Sequence, residues 1–261
     1  MKNTFGSDLS LTIFGESHGR AVGAVLDGMA AGVPVDEAFV AACMDKRRAR
    51  GDGLSTPRTE ADAVQFLSGV VNGRTTGTAI ALMVENQNTR SADYAKTADL
   101  LRPGHADYTA YAKYHGFQDA RGGGHFSGRV TAALVAGGAV VLGALSRAGI
   151  DISTHIAACA GISDTRFALD DAAALAAQVE ALADKPEGFA VLDPAVEEPM
   201  KAAIRAAGAD GDSVGGLLET AILGLPAGIG EPYFDSVESK IAHLAFSIPA
   251  VKGIEFGTGF S

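Results

Sequence analysis

The chain has no tryptophan, only two cysteines, and fewer cationic than anionic side chains, 21 Lys and Arg against 31 Asp and Glu. Each shortage excludes something. Cys43 and Cys159 sit singly among alanine and valine. They build neither a disulfide scaffold nor a thiolate metal site, and they read as buried free thiols. A net charge of −10 argues against a general nucleic-acid binder, because phosphate affinity needs a basic surface. The opening "MKNTFGSDLS" lacks the apolar region of a secretory leader. The most apolar stretch, "VTAALVAGGAVVLGAL", is short, glycine-rich and flanked by Arg129 and Arg147. It reads as a buried helix rather than a membrane span, and a cytoplasmic protein is expected.

Glycine, by contrast, is plentiful: 33 in 261 residues, several in clusters that look like backbone devices. Hydrophobic residues make up 47% and charged residues 20%, which suits a soluble globular protein with a core of useful size. The cations are concentrated, with Lys46, Arg47, Arg48 and Arg50 together in "DKRRARGDG". In an acidic chain that cluster points either to a small anionic ligand or to a solvated helix end.

Hydrophobic periodicity gives the elements. "LSLTIF" and "AVGAVLDG" read as two strands joined through a GESHG turn. Asp36 opens a helix over "DEAFVAACMDKRRAR", with basic residues in its last turn. "DAVQFLSGVVNG" and "TAIALMVEN" read as a second strand pair around Gly73-Arg74-Thr75-Thr76-Gly77. A long helix is expected from near Ser127 to Ala148-Gly149, then a strand over "IDISTHIAACAGI". Helices follow over "DDAAALAAQVEALAD" and "DPAVEEPMKAAIRAAG", a strand over "DSVGGLLETAILGLP", a helix over "DSVESKIAHLAFSIPA" and a last strand over "VKGIEFGTG". Strands in adjacent pairs favour an α+β fold with antiparallel sheets over a doubly wound parallel one.

Gly15-Glu16-Ser17-His18-Gly19 satisfies the G-x-S-x-G pattern of a serine-hydrolase nucleophile elbow. An elbow needs strand, turn and helix, whereas the residues after Gly19 read as another strand, so His18 is the more useful residue. A second cluster runs from Arg102 to Arg129, with His105, His115, His125, Asp107, Asp119 and Arg121. It also holds Gly122-Gly123-Gly124 just before a helix start, where exposed N–H groups suit a phosphate. Arginine forks match carboxylate and phosphate. Histidines ten residues apart match no metal-ligand spacing, so no metal is expected. His155 and His243 read as structural.

Several stretches together resemble the chorismate synthase family: "FGESHGRAVGAVLDGMAAGVPVD", "RTEADAVQFLSGVVNGRTTGTAI", "RSADY", "LRPGHADYTAYAKY", "DARGGGHFSGRVTAALVAGGAV" and "SIPAVKGIEFGTGF". They occur in family order across essentially the whole chain. The resemblance implies one domain over residues 1–261 with a β-α-β sandwich fold. It implies elimination of phosphate from 5-enolpyruvylshikimate 3-phosphate to give chorismate, with reduced FMN as cofactor. It further implies NADPH as a candidate flavin reductant, a homotetramer, and no nucleic-acid or membrane partner. Carried over by motif, His18 and His105 are the catalytic residues. Ser17, Arg47, Arg48 and Arg129 bind substrate, while Gly124, His125, Phe126, Ser127, Pro249 and Ala250 contact the flavin. His125 and Gly53 stand where many members carry arginine. Family members also continue further, through glycine-rich, Lys-Pro-Thr and Arg-His-Asp segments that these 261 residues do not contain. The alternative is therefore a non-catalytic remnant with residual anion binding.

Overall fold

The computed structural model describes residues 2–55, 60–87, 100–183 and 189–259. The "RSADY" stretch lies outside them. The chain divides into two compact units, Met1–Gly32 with Gln65–Gly137 and Leu225–Ser261, and Val33–Val64 with Gly138–Gly224.

The first unit is built on a five-stranded sheet in the order β1-β2-β3-β7-β4, formed by Thr4–Gly6, Ser10–Gly15, Ala21–Asp27, Ile80–Glu85 and Val64–Phe66. The pairings of β1 with β2, β2 with β3 and β3 with β7 are antiparallel. Strand alternation puts Val22, Ala24 and Leu26 of β3 opposite Val84, Leu82 and Ile80 of β7, and all six are buried. This cross-strand ladder is the core of the sheet. The expected second strand pair is interrupted. Between β4 and β7 a small hairpin of β5 (Val70–Val71) and β6 (Arg74–Thr75) turns at Asn72-Gly73, both at positive φ, the sequence signal of a tight hairpin turn. Helix α2 (Asp107–Tyr114), a 3₁₀ segment (Arg121–Phe126) and a 3₁₀ turn (Gly128–Val130) lead into α3 (Thr131–Arg147). The expected long helix is therefore present. It is the one segment among the described residues long and apolar enough to cross a membrane. Its Ala132, Ala133, Ala136, Ala139 and Val140 are buried within the protein, so a core position accounts for the apolar run. At Gly137 a side chain would meet Leu11 Cδ1 at 2.5 Å, which is how α3 packs close to β2. Residues of α3 up to Gly137 belong to the first unit and those from Gly138 to the second.

The second unit contains α1 (Glu37–Arg47), whose N-cap Asp36 accepts from Phe39 N–H at 3.0 Å. It also holds an antiparallel sheet in the order β10-β8-β9, from Gly216–Leu223, Asp151–Cys159 and Ile162–Ser163. Helices α4 (Ala172–Ala183) and α5 (Glu197–Ala209) supply Val179, Leu182 and Met200 to two buried clusters, with Phe167 in one and Cys159 and Val191 in the other. The expected thiol burial holds for Cys159, whereas Cys43 is half-buried.

His155, read as structural, is fully buried in this unit. Its Nδ1 lies 2.9 Å from Asp164 Oδ2 and its Nε2 2.9 Å from Glu219 Oε2, and Phe167 packs on the ring edge-to-face. Asp164 also accepts from the N–H groups of Thr165, Leu192 and Asp193, and Glu219 from Phe167 N–H and Arg166. One imidazole thus ties β8, β10 and the 189–193 segment together.

One expectation is corrected. "VKGIEFGTG", after α6 (Val237–Ala245), is not a strand. Its backbone bonds are local turns, Val251 N–H to Ile248 O and Gly259 N–H to Phe256 O, and Gly257 and Gly259 take left-handed φ. A β-prone run forms a strand only when another strand takes its backbone groups.

Burial pushes the Asp164 and Glu219 carboxyls upward, but the backbone, arginine and histidine hydrogen bonds outweigh it and hold both below their ordinary values of 3.8 and 4.5. Their contribution to stability is therefore complete above those values and is lost as pH falls through them towards the folded-state values. In urea unfolding between pH 7 and 3, Asp164→Asn should lower the midpoint at pH 7 and flatten its acid decline. An acid limb identical to wild type contradicts this.

Candidate active site

The turn between β2 and β3 carries Glu16, Ser17, His18 and Gly19. Its context is strand–turn–strand, as expected from the sequence, and not that of a nucleophile elbow. Asn86, directly after β7, holds it. The Asn86 amide Nδ2 donates to Glu16 O at 3.0 Å and Gly19 O at 2.9 Å, and the Asn86 backbone N–H donates to Arg20 O. Arg129 Nε in turn donates to Asn86 Oδ1 at 2.8 Å, and Nη2 to Glu85 O at 3.1 Å. Arg129 is only 6% exposed. A guanidinium buried that far needs acceptors, and a carbonyl and the amide that grips the turn are among them. Arg129 was expected to face substrate; in the structure these donors brace the motif.

The glycine run lies against this turn. Gly122, Gly123 and Gly124 have φ of 58°, 84° and 53°, a region costly for any residue with a Cβ. Space forbids a side chain as well. A Cβ on Gly122 would collide with the Cε1–Nδ1 edge of His18, which leaves Nε2 as the nitrogen farther from the run. A Cβ on Gly123 would lie 2.5 Å from His105 Cε1 and 2.7 Å from Nε2. Gly124 O accepts from the N–H of Ser17, a residue 1% exposed, at 3.0 Å. His125 Nδ1 donates to Gly15 O at 2.7 Å. Ser127 Oγ accepts from Arg129 N–H at 3.2 Å and caps the following 3₁₀ turn. Consecutive glycines therefore bring together two histidines that are far apart in the chain.

His105 also meets Asp107, the first residue of α2, with Nδ1 2.7 Å from Oδ1. Arg102 grips the same carboxylate through Nε at 2.8 Å, Nη2 at 3.0 Å and its backbone N–H at 3.0 Å. Those Arg102 bonds hold the Asp107 carboxyl well below the usual carboxylate range. Asp119 is lowered too, first by hydrogen bonds from Arg121, with the nearby His18 charge contributing.

A cavity of about 300 Å³ opens beside the run. Leu100, Leu101, Ala110 and Phe126 give it apolar walls, and Arg102, Asp107 and Gly123 line it as well. Gln118 lines it too, and its Oε1 is buried with no hydrogen-bond partner among the described residues. An apolar slot with one unmet acceptor, a cation and a glycine wall fits the edge of a flat heteroaromatic ring that carries N–H groups. Among the described residues no group of three or more His, Cys, Asp or Glu could hold a metal ion.

Pro249 and Ala250 are exposed residues of the first unit, in a turn closed by Val251 N–H to Ile248 O. Ala250 has φ of 72°. Arg47 and Arg48 belong to the second unit, at the end of α1. Arg47 Nη1 meets Asp62 Oδ2 at 2.6 Å, and Arg48 Nη2 meets Asp45 Oδ1 at 2.7 Å. The sequence reading missed Asn86, whose only signal is its place one residue beyond a strand. It also gave Asp107 no role, although Asp107 stands two residues from His105.

The family model described as chorismate synthase matches residues 9–261. A chorismate synthase of Korarchaeum cryptofilum is 43% identical over 256 residues, which is 98% of this chain and 69% of that protein. One of Chitinophaga pinensis is 44% identical over 259 residues, 99% of this chain and 67% of that protein. A crystal structure of chorismate synthase superposes with a TM-score of 0.74 at 29% identity, covering 97% of this chain and 68% of that one.

Gly122→Ala and Gly123→Ala should each cost at least about 1 kcal/mol from the left-handed φ alone. In histidine-selective NMR, Gly122→Ala should displace chiefly the His18 signals and Gly123→Ala chiefly those of His105. Spectra in which neither histidine moves contradict the packing.

Proposed function

Because the chain belongs to the chorismate synthase family, we propose that it eliminates phosphate from 5-enolpyruvylshikimate 3-phosphate to give chorismate, as a carbon–oxygen lyase using reduced FMN. The observation that carries this reading is the glycine run that seats His18 on Gly122 and His105 on Gly123. Two imidazoles, of a residue type suited to acid–base work, are seated on adjacent glycines beside a cavity with an apolar wall and an unmet acceptor.

In this reading His18 protonates the departing phosphate from Nε2, the nitrogen farther from Gly122. Phosphate leaves C3, a hydrogen leaves C6, and no net oxidation occurs. Reduced FMN, when bound, supplies electron density to the allylic system and a base for the C6 proton. Gly124, His125, Phe126, Ser127, Pro249 and Ala250 would hold and orient it, and Gln118 Oε1 would accept from a ring N–H. His105 would protonate or hydrogen-bond the reduced ring. Ser17, Arg47, Arg48 and Arg129 are assigned to substrate anions. For Arg129 the assignment is indirect, because two of its donors brace the turn that carries His18. NADPH as flavin reductant, a homotetrameric assembly, a cytoplasmic location, and no nucleic-acid or membrane partner complete the proposal.

Reduced FMN and 5-enolpyruvylshikimate 3-phosphate added to the purified chain should yield chorismate, read by its absorbance. His18→Ala and His105→Ala should each lower kcat by about 10²–10⁴-fold, the range for a lost acid or base. Arg47→Ala should mainly raise KM. Absence of both flavin binding and turnover in the wild-type chain, or unchanged rates in both histidine variants, contradicts the proposal.

A further inference from the structure

His105 can present either ring nitrogen, and which one it offers is a separate question from what it binds. The structure constrains the answer. Nδ1 lies 2.7 Å from Asp107 Oδ1, while the Cε1–Nε2 edge rests over Gly123, a residue of the cavity wall. The Asp107 carboxylate receives donors at both oxygens. Oδ2 accepts from the Arg102 backbone N–H and Nε, and Oδ1 from Arg102 Nη2. A carboxylate held ionised by that many donors can only accept. The nitrogen facing it must therefore carry the proton. Arg102 Nη2 also approaches Nδ1, but at 3.4 Å and with no acceptor of its own to offer. The bond made by one ring nitrogen sets the state of the other.

We propose that Asp107 is a positioning residue that fixes neutral His105 in its Nδ1–H form, so that Nε2, over Gly123, is the atom that takes up and gives back a proton in the site. This rests on the reading of His105 as the histidine that serves the bound ring. Asp107 itself lines the cavity, but the part assigned to it is played through His105 and not at the reacting atoms. Arg102 grips the same carboxylate, but the tautomer is set by the Asp107 oxygen that faces Nδ1. All three residues lie within six positions, Arg102 and His105 in the loop before α2 and Asp107 at its first residue, so one short segment holds the carboxylate against Nδ1. The ring therefore meets its ligand with the accepting nitrogen already forward, and no tautomer exchange is needed during turnover.

The tautomer is directly readable. Long-range ¹H–¹⁵N correlation spectra of histidine-labelled chain, without flavin or substrate, distinguish a protonated from a bare ring nitrogen. His105 is identified by its loss in His105→Gln. At a pH where the ring is neutral, wild type should show Nδ1 protonated and Nε2 bare. Asp107→Ala should turn the majority to the Nε2–H form, the ordinary preference of an unconstrained imidazole. His155 and His243 should keep their signals and so report an intact fold. Arg102→Met removes comparable bonding from the same loop but leaves the carboxylate facing Nδ1, so it should keep the wild-type pattern. A wild-type Nε2–H form overturns the proposal by itself, even if Asp107→Ala does not fold. So does an Nδ1–H form that survives in folded Asp107→Ala, or an Arg102→Met spectrum that switches as Asp107→Ala does. The readout uses no cofactor and no turnover, so it can hold or fail independently of the assigned activity.

Discussion

The left-handed backbone of Gly122-Gly123-Gly124 is the constraint on which the site depends. Three consecutive residues in that region carry a conformational cost that only glycine escapes, and they remove three side chains from a crowded place. The vacated volume is taken by two imidazoles, one from the β2–β3 turn and one from the loop before α2. The hydrogen bond from Ser17 N–H to Gly124 O and that from His125 Nδ1 to Gly15 O fasten the run to the turn on both sides. Substituting either of the first two glycines therefore acts on a histidine, not merely on a loop.

A rigid support is needed behind such a contact, and the sheet provides it. The buried ladder of β3 and β7 fixes where β7 ends, and Asn86 stands at that end. Its amide reaches the two carbonyls that frame Ser17 and His18, and Arg129 fixes the amide in turn. The Asn86 and Arg129 donors in this network each meet an acceptor, which makes it specific as well as stable. The second unit uses the same device for a different purpose. His155, between Asp164 and Glu219, carries no assigned chemistry and ties three segments of that unit together.

Much of the fold was legible from periodicity: the strands on both sides of GESHG, the Asp36-capped helix, the long buried helix and the strand pair β8 and β10 all stand where the pattern put them. The "VKGIEFGTG" segment misled because strand propensity records how a residue fits a sheet and says nothing of whether a neighbouring strand exists. The site was legible in its histidines and glycines, since those residue types carry chemistry and conformation on their face. Asn86 and the bracing role of Arg129 were not. An asparagine after a strand has no sequence mark of its long-range partners, and nothing local marks which acceptors an arginine meets. The pairing of Arg47 with Asp62 is of the same kind, a contact across fifteen positions that no local pattern announces.

The pairing of His18 and His105 on adjacent glycines is proposed to serve one ligand site. Its most direct test is a titration of the histidine-labelled chain with FMN and 5-enolpyruvylshikimate 3-phosphate together, following the Hε1 resonances of both rings. Both should shift with one shared dissociation constant, while His155 and His243 stay in place. Saturable binding that leaves His18 and His105 unmoved, or moves them with unrelated affinities, would contradict it.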